Sequence, residues 1–135
     1  MHQTDWLLRQ IEMMGDAFKR LLAALREHRP EDAIEVSQEA IAELLGTDPT
    51  LVDVLAPDGL LTLLSAGGSL DAYRAHMLGE MLAARADARA QLGRHAQASV
   101  DRIRARVLLE AALPEAEGAD ADRIAEVLEW LRLQA

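Results

Sequence analysis

Leu7, Ile11, Met14, Phe18, Leu21/Leu22 and Leu25 recur at steps of three and four. That spacing gathers them on one side of an α-helix, whereas a strand would send alternate residues to opposite faces. Trp6, Met13, Ala17 and Ala24 lie about 100° further round, so two sides of this helix are apolar or small. The pattern predicts a helix from Asp5 to about Glu27, with Thr4 as N-cap and Arg26 and His28 suiting its C-terminal dipole. Gly15 falls in mid-helix, where it costs about 1 kcal/mol relative to alanine unless a neighbouring backbone needs the space.

The same rhythm returns along the chain and predicts an all-α protein with about five main helices and one or two short ones. A chain of 135 residues is one domain by length. Only four residues are aromatic, so the core has to be Leu, Ala, Ile, Val and Met, which suits close helix packing and lacks the usual formers of sheets. Pro30 reads as a first-turn residue of a second helix carrying Ala33, Ser37, Ala40, Ile41 and Leu44 on one side and ending at Gly46. Pro49 and Pro57 read as first residues of short helices over 50–55 and 58–65. Gly67-Gly68 is the best hinge.

Ser69 is expected to cap a long helix over 70–92, with Tyr73, Met77, Met81 (or Glu80), Ala84 and Ala88 on its inner face. Gly93 stops it. The next helix is expected to turn Ala96, Val100, Ile103 and Val107 inward. An acidic linker over 114–118 precedes a last helix, about 120–134, with Ile124, Val127, Leu128 and Leu131 inward.

The formal charge of −9 and a pI near 4.8 weigh against nucleic acid or anionic lipid as general partners. The charge is unevenly spread. Arg85, Arg89, Arg94, Arg102, Arg104 and Arg106 outnumber Asp87 and Asp101, while the segment from Glu110 onward is strongly acidic. The simplest expectation is that these neighbours fold against each other. Cysteine is absent, which removes disulfides, a thiol nucleophile and thiolate metal sites. The opening residues lack a basic leader segment and no apolar run reaches membrane-spanning length, so a soluble cytoplasmic protein is expected.

Residues suited to chemistry are sparse. His76 and Glu80 stand one turn apart, which reads as an ordinary polar pair on a helix surface before it reads as two metal ligands. Neither a His-Glu-x-x-His nor a Glu-x-x-His pattern occurs, and the serines sit in helices or at caps without a nucleophile elbow. His95 reads as a loop or cap residue. Gly67-Gly68-Ser69 lacks the lysine of a phosphate loop. No catalytic residue, cofactor or metal is expected.

Leu92-Gly93-Arg94-His95-Ala96-Gln97-Ala98, followed by Ala105, resembles the junction between the two helices of a tetratricopeptide repeat (TPR). There a glycine ends the first helix and small residues on the second let the pair approach closely. His28-Arg29-Pro30-Glu31-Asp32-Ala33, followed by Ala40, resembles it without the glycine. Arg102 and Glu110 stand where the repeat has an aromatic residue and a proline. The opening Gln3-Thr4-Asp5-Trp6-Leu7-Leu8-Arg9-Gln10-Ile11-Glu12 resembles a family of small uncharacterised bacterial proteins with TPR-like helices, which implies a fold and transfers no site.

The resemblance implies antiparallel hairpins stacked as a short TPR-like array, with the last helix as a cap. Its peptide groove would map to Glu80, Ala83, Asp87, Ala90 and Gln91, an acidic or neutral set that suits a basic or apolar peptide. Trp130 and Leu133, on the flank and back of the last helix, could join Trp6 in contacting a protein partner or a second copy. An alternative expectation is a regulator that binds an anionic small ligand or nucleic acid through Arg85, Arg89, Arg102 and Arg106.

Overall fold

Among the described residues the apolar periodicity resolves into seven α-helices. The computed structural model describes the backbone of residues 2–134, and the side chains of Arg9 and of residues 12–134 apart from Ala66. The expected roles of Trp6, Leu7 and Ile11 therefore lie outside the described residues. The helices are α1 His2–Arg26, α2 Pro30–Leu45, α3 Leu51–Val54, α4 Pro57–Leu63, α5 Ala72–Gln91, α6 His95–Ala112 and α7 Gly118–Leu133. A 3₁₀ turn, Leu113–Glu115, leads into α7. No described helix is long and apolar enough to cross a membrane.

Local chemistry sets most of these boundaries. Pro30 occupies the first turn of α2, and Gly46 closes that helix in the left-handed region with φ 69°. Ala33, Ser37, Ala40, Ile41 and Leu44 are all buried, as their spacing predicts. Pro57 opens α4 as expected, whereas Pro49 lies ahead of α3, which Thr50 precedes. The first helix is already helical at His2, so the start expected at Asp5, with Thr4 as cap, is incorrect.

The segment 65–70 differs from expectation. Ser65–Ala66 (β1) and Ser69–Leu70 (β2) pair antiparallel across Gly67 and Gly68, whose φ values are 61° and 84°. Two consecutive positive φ angles make the tight turn of a β-hairpin, so the glycines form a turn and no hinge. Ser69 is consequently in a strand. The cap of α5 is Asp71, whose Oδ1 accepts the Arg74 N–H at 3.1 Å.

Helix α5 is the centre of the molecule. The expected inner face is inward but is only part of the buried surface: Glu80, Met81 and Ala88 are buried and Met77 and Ala84 pack on the core, while Ala75, His76, Leu78, Gly79, Leu82, Ala83, Arg85 and Ala86 are buried as well. Helices α1 and α2 cover it on one side, α6 and α7 on others. Its closest neighbour is α6, where Ala98 and Ala105 are fully buried against it. A Cβ added at Gly79 would lie 2.7 Å from Leu109 Cγ and 3.3 Å from the Ala105 carbonyl oxygen, so glycine is what allows the two backbones this near.

The expected inward face of α6 is wrong. Ala96 and Val100 are exposed, Ile103 is 58% exposed and Val107 is half-buried. The buried side is instead Ala98, Asp101, Ala105, Leu108, Leu109 and Ala112. Small residues and one aspartate won over the branched stripe because α5 demands both close approach and a counter-charge. In α7, Ile124, Val127 and Leu131 are buried and Leu128 packs beside them, as expected.

Candidate interaction cleft

Three helices leave a cleft of about 350 Å³ between them. Phe18, Leu22 and Leu25 of α1 form one wall, Glu80, Ala83, Ala84 and Asp87 of α5 the floor, and Arg123, Glu126, Val127 and Trp130 of α7 the other wall. The lining is mostly apolar, and Leu22 is 49% exposed where it enters the cleft. Of the five groove positions mapped from the TPR resemblance, Glu80, Ala83 and Asp87 lie in this floor. Ala90 is half-buried outside it, and Gln91 is exposed with its side-chain amide donating to the Leu25 carbonyl at 3.5 Å. Trp130 packs partly on the core and lines the cleft, while Leu133 is exposed beyond it. The place of Trp6 is outside the described side chains.

The carboxylates of the cleft differ in character. Glu80 is buried, as is His76, so the expected surface pair is an interior one. His76 Nε2 lies 2.6 Å from Glu80 Oε2, and Arg123 donates from Nε and Nη2 to Oε1 at 2.9 and 2.8 Å. Burial by itself would raise the Glu80 carboxyl, but the hydrogen bonds from His76 and Arg123 together hold it below its ordinary range. A pair that looks superficial on a helical wheel becomes interior because α7 brings a third group across it. Both oxygens of Glu80 are thereby occupied. Among the described residues no group of three or more His, Asp or Glu is arranged to hold a metal ion.

Asp87 is half-buried and makes no hydrogen bond or ion pair among the described side chains. Desolvation raises its carboxyl above the ordinary value, and the charge of Arg102 counteracts this only from beyond contact. Glu126 is exposed on the opposite wall. With Arg123 engaged by Glu80, the cleft carries two carboxylates, Asp87 and Glu126, that make no ion pair among the described side chains.

The arginine group has mostly found partners of its own. Arg85 is 1% exposed and bonds both oxygens of the fully buried Asp101, with Nε to Oδ2 at 3.0 Å and Nη2 to Oδ1 at 2.7 Å. Its Nη2 also donates to Asp53 of α3 at 2.7 Å. Arg89 donates to Asp101 at 2.9 Å, and Arg104 donates to the backbone carbonyls of Asp53 and Leu55, each at 3.2 Å. Arg106 is exposed and paired with Glu110 one turn on, and Arg102 is half-buried with its Nε unpartnered. Of the acidic segment from Glu110 onward, only Glu110 pairs with this arginine group among the described residues, so the expected cover is met at Arg106 and not at Arg85 or Arg89. Asp53 and Asp101 serve instead.

Sequence reasoning missed Arg123 and the α1 wall of Phe18, Leu22 and Leu25 as parts of one site. The two-sided apolar character of the first helix was the available signal for that wall. Comparison of the chain with family models, with curated proteins and with solved structures gives no match.

Proposed function

We propose that this chain is a cytoplasmic, non-catalytic protein-interaction module of TPR-like helical hairpins, which receives a basic, apolar helix or peptide in the cleft between α1, α5 and α7. The observation that carries the reading is the cleft itself: an apolar trough flanked by Trp130 and Leu22, with Asp87 and Glu126 at its edges making no ion pair among the described side chains. A half-buried aromatic beside exposed aliphatic residues is the chemistry of an anchoring pocket. Unpaired carboxylates favour a cationic partner. The interior polar groups nearby are spent on one another, as His76, Glu80 and Arg123 are, which supports a binding role over a catalytic one.

Selection of random linear peptides displayed on phage tests this reading. Apolar residues flanked by Lys or Arg should be enriched, and Leu22→Lys should abolish capture. Recovery of no peptide whose binding depends on Leu22 or Trp130 would remove the cleft from consideration. The alternative of an anionic ligand is disfavoured, since Arg85 and Arg89 would have to abandon Asp101, and Arg106 its pairing with Glu110, to bind one.

A further inference from the structure

The most regular apolar pattern of α6 is the one the fold leaves outside. Ala96, Val100, Ile103 and Val107 follow one another at steps of four, three and four, which is the spacing of a coiled-coil seam. Val100 is 45% and Ile103 58% exposed, while the opposite side of α6 packs on α5. A row of branched apolar residues facing solvent on a helix whose other side is already buried is the mark of an external contact.

We propose that the chain associates head to tail, the outward seam of α6 in one copy seating in the α1/α5/α7 cleft of the next. This rests on the reading of the cleft as a docking site. Charge favours the arrangement. Arg104 flanks the seam with only the Asp53 and Leu55 carbonyls as partners among the described residues, while Arg106 on the other edge is paired with Glu110, so the seam is net basic. The cleft offers the opposite sign, with Asp87 and Glu126 making no ion pair among the described side chains. Arg106 can exchange its exposed pairing with Glu110 for one of them, because such surface pairs hold weakly. The seam turns away from the α5 that floors its own copy's cleft, so docking is between copies. Contact between two different patches is heterologous and builds a ring or an open chain.

Sedimentation velocity of the full chain at rising concentration reads this out. Wild type should grow beyond a dimer. Ile103→Lys, which disables the seam, and Leu22→Lys, which disables the cleft, should each remain monomeric; both positions are exposed, and circular dichroism verifies folding. An equimolar mixture of the two should give a one-to-one heterodimer, because each brings one intact surface. Should Leu22→Lys still dimerise while the mixture rescues nothing, α6 pairs with itself and the head-to-tail arrangement is wrong. Wild type that stays monomeric throughout also overturns it; if that monomer still captures basic peptides through Leu22, the cleft reading survives alone. If it captures none, both fall.

Discussion

A guanidinium with almost none of its surface in water has to be matched group by group, and Arg85 is. Asp101 takes two of its donors and Asp53 shares a third contact, while Arg89 also donates to Asp101, so that two guanidiniums stand against two carboxylates. Replacing one partner of such a set leaves the other charged and buried, which costs about 3–5 kcal/mol. Asp101→Ala should therefore lower unfolding stability by about that amount in urea denaturation; a loss under about 1 kcal/mol would mean that Asp53 and water suffice. The two carboxylates of the cleft should respond oppositely to pH. Glu80 sits below its unfolded-state value, so its contribution is complete above the ordinary carboxylate range and fades as acid protonates it. Asp87 sits above its unfolded-state value, so the fold favours its protonated form in acid and loses that contribution as pH rises. Thermal melting across pH should show Glu80→Gln destabilised at neutral pH and converging on wild type in acid. Asp87→Asn should be stabilised at neutral pH, with no gain in acid.

Helix by helix, the sequence was legible where burial is one-sided. The stripes of α2 and α7 coincide with their buried residues because each meets the core along one line and shows solvent its charged side. Helix α5 was not legible that way. It is enclosed, and part of its buried surface is His76, Glu80 and Arg85, which a hydrophobic pattern scores as exterior. Helix α6 misled for the complementary reason: Val100 and Ile103 lie outside, and its interior side is alanine, Asp101 and, towards its end, Leu108 and Leu109. The small residues Ala98 and Ala105 that follow the Gly93 turn are fully buried; a signal of this kind concerns size and ignores polarity. Of the site, Glu80, Ala83, Asp87 and Trp130 were legible, and Arg123 was not, because its partner lies on another helix. Glycine gives a direct check on the packing. Gly79→Ala should cost about 1–3 kcal/mol, since Leu109 is fully buried and has nowhere to withdraw. Gly15→Ala, with nothing within 4 Å of the added carbon, should instead gain about 1 kcal/mol from helix propensity. Paired urea midpoints read both signs, and equal effects at the two positions would refute the close approach of α5 and α6.

At the scale of the whole molecule, contacts run from α5 to helices both earlier and later in the chain. The N-terminal helices lay one face on α5, the C-terminal helices another, and the cleft opens where α1 and α7 stand on either side of it. The hairpin turn at Gly67 and Gly68 lies at the border between these halves, exposed and joined to the body through β1 and β2. A protease nick at that turn would therefore separate a piece without its central rod from a piece whose central rod keeps α6 and α7 but is bare where α1 and α2 had covered it. Neither would own a sealed interior, and each would be the other's missing lining. The polypeptide is thus partitioned by nature into two complementary fragments, so that reconstitution of one from the other could report when two fused proteins meet.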